Sequence, residues 1–255
     1  MEPFRGSARA MSSNGLASTG NMLGTHAIEV FTVLTVETNG CGFLPDRRPQ
    51  ILYERHIFHR LTNGAFDDGD ISDPTPGGYG AGGAHQYERL AKAITLNRTA
   101  ALQSASWGIG QIMGENFRIA GFSDVEAMVS SMMLGEDEQL TAMGNFLLSK
   151  KLNSPLASHD WTTFARGYNG SNFAINKYDV RLNGEFQKLS TTGVPDLVVR
   201  AVQLYLTYLG FDPHGIDGVA GKHTTSALAD FQTANGLPVT TSIDASTVTQ
   251  LENAL

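Results

Sequence analysis

A single cysteine, Cys41, occurs among the 255 residues of this sequence. An intramolecular disulfide is therefore excluded, and nothing in the sequence requires an oxidising compartment. A lone cysteine can act as a catalytic nucleophile, but it is more often simply tolerated. We therefore do not place catalysis at Cys41.

Positive charge is also scarce. The chain carries 18 Lys and Arg residues against 25 Asp and Glu residues, a formal net charge of −7. Residues 193–255 hold two basic and six acidic residues, a balance of −4, which leaves −3 for the rest of the chain. Because neither part offers a basic patch for counterion release, we expect no nucleic-acid partner.

Long hydrophobic runs are absent too. None approaches the roughly 18–20 residues of a membrane span, so we expect no stable membrane insertion. Residues 1–24 lack the apolar core of a secretory signal, and their small polar residues predict a flexible leader. With 41% hydrophobic and 17% charged residues, the composition is typical of a soluble globular protein.

The stretch "NGEFQKLSTTGVPDL" predicts a joint between two domains. It combines two glycines with Ser, Thr and Pro and follows a run of helical patterns. We place the boundary at about Leu189 to Pro195. This divides the chain into a domain at 25–190 and a smaller one at 195–255.

Helical patterns dominate residues 25–190. The segment "HAIEVFTVLTVE" has an i, i+3, i+4, i+7 apolar stripe from Ala27 to Leu34, although its β-branched residues favour a strand. A capping box at Ser123 and Glu126 begins a segment predicted as one long helix or two. Further helices are predicted in "HQYERLAKAITLNRTAAL" and in "DWTTFARGYNG", which ends at Gly170. The Gly-, Pro- and Asp-rich stretch "DDGDISDPTPGGYGAGGAH" is predicted to be a loop.

Three short amphipathic segments follow the boundary: "PDLVVRAVQLYLTYLG", "HTTSALADFQTANG" and "IDASTVTQLENAL". Pro195 and Gly210 flank the first, Gly236 closes the second, and Asp244 is a candidate N-cap of the third. Three short helices in about 60 residues predict a small three-helix bundle. The fold class is therefore mainly α.

The segment "GIDGVAGKHTTSALADFQTANGLPVTTSID" resembles the peptidoglycan-binding module found at the ends of many cell-wall hydrolases. The matching positions are Asp217, Gly218, Gly221, Thr224, Ala227, Phe231, Gln232, Gly236, Leu237, Pro238, Thr247 and Leu251. The resemblance implies bacterial peptidoglycan as the partner. We expect most of these residues to hold the bundle together, and we take Asp217, Thr224 and Gln232 as candidate wall contacts.

Three stretches of the first domain, "VET" at 36–38, "SWGIGQIM" at 106–113 and "ARGYNGS" at 165–171, are similar to motifs of the goose-type lysozyme and soluble lytic transglycosylase superfamily. Those motifs are the Glu-Ser that ends the catalytic helix, a Gly-x-x-Gln-Ile-Met signature and an Ala-Tyr-Asn motif. Thr38 replaces the usual Ser, and Arg166-Gly167 interrupts the usual Ala. The resemblance implies that Glu37 is the catalytic acid.

The chain also resembles, more closely, the N-acetylmuramidase domain of modular bacteriophage endolysins. The matching motifs occur in the family's order, with Tyr53 in place of a Phe: "GFLPD" at 42–46, "ILYERH" at 51–56, "GGYG" at 77–80, "YERL" at 87–90 and "SWGIGQIMG" at 106–114. The resemblance spans about residues 25–185. It implies a lysozyme-like helical catalytic domain ahead of the wall-binding bundle.

Glu37 has a sequence context that suits a glycosidase acid. Cleavage of a β-1,4 glycosidic bond needs a carboxylic acid that is protonated near neutral pH, whereas a free Glu has a pKa of about 4.3. Apolar surroundings and the C-terminal end of a helix both raise that pKa. Glu37 follows "VFTVLTV" and precedes the helix stop Thr-Asn-Gly.

The second carboxylate is left open by the sequence. Glu54 is either a catalytic partner of Glu37 or a structural partner of Arg55, Arg60 or Arg98. Asp46 is a further candidate whose alternative role is that of a turn residue. The third alternative is a site with no second carboxylate, since the resemblance to the superfamily implies that this group is often absent. A separation of about 5 Å between carboxyls predicts a retaining mechanism and roughly 6.5–9.5 Å an inverting one, so both outcomes stay open.

Gln111, Tyr168 and Asn169 are candidate sugar contacts, because uncharged hydroxyl and N-acetyl groups need amide and phenol hydrogen bonds. Tyr168 has the further interpretation that it is buried and positions Glu37, and Met113 is predicted to line the cleft.

His56 and His59 are three residues apart, but they lack the order of a zinc motif. We expect no metal and no cofactor. We predict that these histidines pack or hydrogen-bond around Glu54.

Together these features predict a phage endolysin that hydrolyses the β-1,4 bond between N-acetylmuramic acid and N-acetylglucosamine and lyses the host. Without a signal peptide, it is expected to stay in the host cytoplasm until release and then act on the peptidoglycan layer, as a monomer. The alternatives are a lytic transglycosylase with 1,6-anhydro products, a metal-dependent wall peptidase or amidase, and a non-catalytic wall-binding protein.

Overall fold

The computed structural model describes residues 4–38, 40–66, 68–171 and 173–255. These residues form a mainly helical fold, as predicted, with one small antiparallel sheet. The helices before the predicted joint are α1 (Ser13–Leu23), α2 (Ala27–Thr38), α3 (Arg55–Leu61), α4 (Ala84–Leu96), α5 (Arg98–Gln103), α6 (Val125–Met132), α7 (Glu136–Ser149), α8 (Asn153–Ala157), α9 (Trp161–Asn169) and α10 (Tyr178–Thr192). The helices after it are α11 (Leu197–Tyr208), α12 (Lys222–Ala234) and α13 (Ala245–Asn253).

Helix α2 runs through the middle of the first domain. Its residues Val30, Val33 and Leu34 are fully buried, and it packs against α1 and α10. Its threonines, which favour strands, direct their hydroxyls back to carbonyls four residues earlier, as Thr35 does to Phe31 at 3.0 Å. Burial on all sides therefore overrides the strand preference of the β-branched residues.

Residues 4–24 correct the prediction of a flexible leader. Helix α1 begins at the N-cap Ser12, and Leu16 and Leu23 pack into the main core. The backbone nitrogens of Ala8 and Arg9 donate to carbonyls at residues 133 and 134. The small polar residues concealed a buried stripe spaced as in a helix, so composition alone was misleading.

Two other helical predictions change in detail. The segment from residue 85 to residue 102 is two helices, because Asn97 adopts an extended backbone and caps α5 by accepting from the nitrogen of Ala100. Helix α6 is capped by Asp124 instead of the predicted Ser123. Gly135 then separates α6 from α7, so the long segment is also two helices.

The sheet consists of β1 (Ile51–Tyr53), β2 (Ala105–Trp107) and β3 (Ile112–Met113), paired antiparallel in that order. The register places Ile51 opposite Trp107, and Trp107 opposite Ile112. Residues 108–111 form the tight turn between β2 and β3, which we call the hairpin turn. It lies beside the C-terminal end of α2.

The predicted loop is confirmed for residues 68–83. Two buried polar side chains of α4 hold it in place. Arg89 donates to the side chain of Asp70 at 3.1 Å and to the carbonyl of Tyr79 at 3.1 Å. Gln86 donates to that same carbonyl at 2.7 Å and accepts from the nitrogen of Tyr53. The loop is therefore fixed against β1, with Tyr79 at a defined place.

The three helices after the joint form the predicted bundle. Leu204, Leu228 and Leu251, one from each helix, are fully buried in its core. Asp244 caps α13 as expected by accepting from the nitrogen of Thr247. Cys41 of the first domain packs into this second core, and burial raises the pKa of its thiol to about 11. A thiol with a raised pKa is the opposite of an activated nucleophile.

A buried ion pair joins the two domains. The guanidinium of Arg200 in α11 lies 2.5 Å and 2.6 Å from the two carboxylate oxygens of Glu136 in α7, and both side chains are at most 1% exposed. Arg200 also donates to the carbonyl of Gly40 at 2.9 Å, while Glu136 accepts from the nitrogens of Gly42 and Met11. We call this set of contacts the interdomain latch. It fixes the turn that follows α2.

The N-terminal segment is part of the same junction. The nitrogen of Ala10 donates to the hydroxyl of Tyr205 at 3.0 Å, and the hydroxyl of Tyr208 donates to the carbonyl of Ala8 at 3.1 Å. Residues 8–12 thus lie between α7 and α11. Within the part of the chain that the structure describes, no helix is both long enough and apolar enough to cross a membrane.

Candidate active site

Glu37 lies in the last turn of α2, next to the hairpin turn. The hydroxyl of the buried Thr38 lies 3.2 Å from the carbonyl of Leu34 and 3.1 Å from that of Ile109. This hydroxyl, which the change from Ser preserves, therefore ties the end of the helix to the hairpin turn. The backbone of Glu37 is held in place as a result.

The carboxyl of Glu37 is protonated more readily than an ordinary glutamate. Burial raises its pKa to about 6, against the lowering effects of a hydrogen bond from Asn169 and of the positive charge of Arg181. Desolvation disfavours the charged form and is the largest of the three effects. At pH 6 about half of the molecules would carry the acid form that glycosidic cleavage needs.

Asn169, at the end of α9, contacts Glu37 directly. Its Nδ2 donates to Oε1 of Glu37 at 3.0 Å. Its Oδ1 is buried and has no hydrogen-bond partner among the described residues. Because buried amide oxygens are nearly always paired in folded proteins, a water or a substrate N–H or O–H is the expected complement. This observation favours the predicted sugar contact at Asn169.

Two residues of α10 complete the surroundings of Glu37, and the sequence analysis missed both. Arg181 donates to the carbonyl of Val36 at 2.8 Å, so it satisfies a free carbonyl at the end of α2. The pKa of Tyr178 is raised by burial and by the carboxylate of Glu37. Neither residue lies in a recognisable motif; only their place one turn apart at the start of a helix could have drawn attention to them.

The contacts of Tyr168 favour a structural role over a direct sugar contact. Its hydroxyl donates to the carbonyl of Gly110 in the hairpin turn, and its ring stacks on Phe164 at 5.4 Å between centroids. Burial raises its pKa well above the usual value, and the carboxylate of Glu37 adds to the effect. Tyr168 thus fixes α9, and with it Asn169, against the hairpin turn. A direct sugar contact by Tyr168 stays a prediction.

Gln111 lies in the hairpin turn with a left-handed backbone, φ 48°. Its amide nitrogen donates to the carbonyls of Gly108 at 2.8 Å and Gln50 at 3.3 Å, and its oxygen accepts from the hydroxyl of Ser106 at 2.8 Å. Both ends of the amide therefore shape the turn itself. Met113, at the end of β3, is partly exposed. Sugar contacts by Gln111 and Met113 stay predictions.

Glu54 provides a second carboxyl with a raised pKa. Its side chain is 15% exposed. Burial raises the pKa, while His56, Tyr79 and Arg89 lower it. Its Oε2 lies 3.2 Å from Nδ1 of His56, yet neither atom has a hydrogen-bond partner of suitable geometry. At 3.2 Å the two atoms are in direct contact, which leaves no room for a water molecule between them.

Two tyrosines connect the two carboxyls. The pKa of Tyr79 is raised by burial, by Glu54 and by Tyr178, and that of Tyr178 is raised by burial and by Glu37. Charges affect one another in this way only over short distances. Each of these four groups is thus near the next, and a single site that contains both Glu37 and Glu54 stays a prediction.

Asp46 and His59 take no part in this site. Asp46 pairs with Arg48 at 2.5 Å and accepts from the backbone nitrogen of the same residue, as a turn residue does. Nδ1 of His59 lies 3.3 Å from the hydroxyl of Ser72, whereas Nδ1 of His56 lies 3.2 Å from Oε2 of Glu54. Among residues 4–38, 40–66, 68–171 and 173–255, no group of three or more metal-ligating side chains could hold a metal ion.

The candidate wall contacts of the small domain differ in exposure. Thr224 and Gln232 are each only 2% exposed. Thr224 accepts from Gln203, and Gln232 organises the loop around Thr240. Both are therefore at odds with a direct wall contact and support the bundle instead. Asp217 is exposed, although its Oδ1 already accepts from Gln203 and from the nitrogen of residue 219.

Replacement of Asn169 by Ala is expected to shift the pH dependence of catalysis. The hydrogen bond from Asn169 favours the ionised form of Glu37, so its loss raises that pKa above about 6. Because the predicted role of Glu37 requires its acid form, the alkaline limb of the pH–kcat profile should move to higher pH. Asn145→Ala, which removes an amide remote from this site, is the matched control. If the alkaline limb of Asn169→Ala stayed at the same pH or moved to lower pH, Glu37 would not be the group that sets this limb.

Comparison with known proteins places this site in a family. Residues 26–190 match the N-acetylmuramidase family, and residues 195–251 match the peptidoglycan-binding domain family. The solved structure entitled "Crystal structure of Burkholderia AP3 phage endolysin" is 39% identical, covers 73% of this chain and 73% of its own, and has a TM-score of 0.65. No curated protein matches the chain.

The chain therefore belongs to the N-acetylmuramidase family. With its second domain it is a peptidoglycan-degrading enzyme of the endolysin type, as the sequence resemblance implied.

Proposed function

We propose that this protein cleaves the β-1,4 bond between N-acetylmuramic acid and N-acetylglucosamine by hydrolysis, with Glu37 as the general acid. The observation that carries the proposal is a carboxyl whose burial raises its pKa to about 6 at the end of a helix. Such a group donates a proton to the bridging oxygen as the glycosidic bond breaks. Asn169 holds the carboxyl in place and keeps one amide oxygen for the substrate.

Glu54 is proposed to assist from the opposite side of the same site. Its carboxyl contacts Nδ1 of His56 at 3.2 Å, and the attacking water is proposed to come from the substrate side of the same carboxyl. In its ionised form it would accept a proton from that water as the water attacks the anomeric carbon. The raised pKa of Glu54 limits this role to the pH range in which the group is ionised, so the acid and the base must be in different protonation states at the same pH.

The sugars of peptidoglycan carry uncharged hydroxyl and N-acetyl groups, and the remaining polar side chains of the site can form hydrogen bonds with them. Asn169 and Tyr178 are the proposed sugar contacts nearest Glu37. Gln111 and Tyr168 act chiefly by shaping and anchoring the hairpin turn, and Met113 lines the cleft. Release from the host cytoplasm, action on the wall as a monomer and lysis of the host are the corresponding proposals for the protein's biological role.

Analysis of the products tests this proposal. Peptidoglycan digested by the protein is expected to give new reducing ends at muramic acid, each fragment heavier by one water than the 1,6-anhydro form. Mass spectrometry of the digest distinguishes the two. A dominant anhydro product would mean that the sugar's own 6-hydroxyl replaces water, as in a lytic transglycosylase. New free amines with no new reducing ends would indicate a peptidase or amidase.

The role of Glu54 is tested in the same assay. Glu54→Gln preserves the shape of the side chain but removes the base, and we expect hydrolysis to slow by about 10²–10⁴-fold. The matched control is Glu126→Gln, which alters an exposed carboxylate paired with Arg98. If Glu54→Gln hydrolysed the wall at the wild-type rate, Glu54 would not be the base.

A further inference from the structure

A cavity of about 470 Å³ lies where the two domains meet, outside the group of side chains that surrounds Glu37. Its wall includes Phe31 and Thr35 of α2, Lys188 and Leu189 of α10, and Asp217 and Val219 of the small domain. None of these residues has a part in the proposed cleavage. Cavities of this size at a domain boundary, mostly apolar with a few polar groups, are typical places for a ligand.

The chemistry of the cavity is mixed. Phe31 and Leu189 provide a buried apolar floor. The ammonium of Lys188 and the carboxylate of Asp217 lie at the rim and are exposed, and Lys188 also pairs with Glu185 of the cavity wall at 3.0 Å. Val219 is 63% exposed, although it is apolar and belongs to an ordered loop. A ligand with small apolar groups and charges of both signs would complement this surface.

The cavity lies along the same pair of helices as the candidate acid. Helices α2 and α10 run antiparallel, because Arg181 contacts Val36 while Lys188 lines the cavity together with Phe31. Lys188 is seven residues beyond Arg181, which corresponds to about 10 Å along a helix at about 1.5 Å per residue. The cavity is thus about 10 Å along α10 from the residue that contacts the end of α2.

We propose that this cavity binds the stem peptide carried by the muramic acid that lies in the active site. The inference rests on the proposed function, since it takes muramic acid to be bound beside Glu37. A peptide of three to five residues reaches about 10–17 Å when extended, which matches the distance along α10. Its alanine methyl groups suit the apolar floor, a peptide carboxylate suits Lys188, and the ammonium of its diamino acid suits Asp217.

This assignment gives the small domain a second role. The loop at residues 216–219 becomes one wall of the substrate site, so the domain selects glycan strands that carry peptides as well as retaining the enzyme on the wall. The interdomain latch holds this loop in a fixed position. A site shared between the domains needs this, because a domain on a free hinge could not keep one wall of the cavity in place.

The test compares two soluble glycan substrates of equal length, one with stem peptides and one from which an amidase has removed them. The wild-type protein is expected to show a kcat/KM at least about tenfold higher for the peptide-bearing glycan, equivalent to about 1.4 kcal/mol. Val219→Trp, which fills the mouth of the cavity, should reduce that ratio to near one with little change on the bare glycan. Val239→Trp is the matched control, because Val239 is an exposed valine of the same domain outside the cavity.

Equal rates on the two glycans in the wild type, or a ratio that Val219→Trp leaves intact, would overturn the proposal while leaving the cleavage reaction in place. Direct binding separates it from the proposed function. Full-length Glu37→Gln protein, titrated calorimetrically with a soluble muramyl tetrapeptide, should bind it at least about tenfold more tightly than the Glu37→Gln/Val219→Trp double variant. Equal binding by both proteins would refute the cavity as the peptide site, whatever reaction Glu37 performs.

Discussion

Glu37→Gln is expected to lower kcat on peptidoglycan by about 10²–10⁴-fold, because an amide cannot donate the proton that general acid catalysis requires. This loss corresponds to about 2.7–5.4 kcal/mol of transition-state stabilisation. The amide keeps the shape of the side chain and still accepts from Nδ2 of Asn169. We therefore expect wall binding to persist. Turbidity loss of a cell-wall suspension and a sedimentation assay measure the two properties.

The same replacement should leave the protein as stable as the wild type at neutral pH, or slightly more so. The pKa of Glu37 in the folded protein, about 6, is raised above the ordinary value of 4.5. Ionisation of such a group destabilises the folded state, and this destabilisation grows as the pH rises from about 4.5 to about 6 and persists above. Removal of the charge should raise the free energy of unfolding by on the order of 1–2 kcal/mol. Any hydrogen bonding that the new amide loses reduces this gain.

Glu29→Gln is the control for Glu37→Gln. Glu29 lies in the first turn of the same helix, where it pairs with His159 at 2.9 Å and its pKa is lowered. Replacement of Glu29 should reduce the free energy of unfolding at pH values where the carboxylate is ionised. It should leave kcat near the wild-type value. Substantial lytic activity in Glu37→Gln, or equal losses of kcat in both variants, would mean that Glu37 is not the acid.

Arg200→Met is expected to reduce the free energy of unfolding by about 3–5 kcal/mol, because it leaves the carboxylate of Glu136 buried without its charged partner. The carbonyl of Gly40 also loses its donor. Urea denaturation followed by circular dichroism measures the change. Since the latch joins both domains, they should unfold together in one transition in the wild type.

Two further variants make this second prediction specific. Arg98→Met breaks the pair with Glu126, in which both side chains are about half exposed, and exposed pairs contribute at most about 1 kcal/mol. Arg200→Met combined with Glu136→Gln removes both buried charges and should be more stable than Arg200→Met alone. Equal losses in Arg98→Met and Arg200→Met would contradict a stabilising role for the latch.

The proposed acid is the part of the candidate site that the sequence marked most clearly. Glu37 is recognisable because its apolar run and its helix stop are contiguous in the chain, and the motif around Asn169 supplied its partner. Arg181 and Tyr178 escaped notice because their roles arise only when α10 packs against α2. Tyr79 lies in the quoted motif "GGYG", but its place near Glu54 depends on how the loop before α4 folds. No local pattern encodes such contacts between residues distant in sequence.

The fold shows the same division. Helices with clear apolar stripes and caps, such as α9 and α13, were predicted correctly from local chemistry. The failures concern burial that tertiary packing decides. Residues 4–24 are polar enough to suggest a flexible leader, yet α7 gives α1 a surface on which to pack. Thr224 and Gln232 belong to a wall-binding motif, yet they are buried and support the bundle.

The segment at residues 8–12 is among the first to be synthesised and among the last to find its partners. Its hydrogen bonds join Met11 to a residue 125 positions later and Ala10 to one 195 positions later. Contacts so distant in sequence close late and slow the folding of a chain. A nascent chain that still lacks α11 can form neither the bond from Ala10 to Tyr205 nor the bond from Arg200 to the carbonyl of Gly40. The turn after α2 should therefore be completed only once almost all of the chain has left the ribosome.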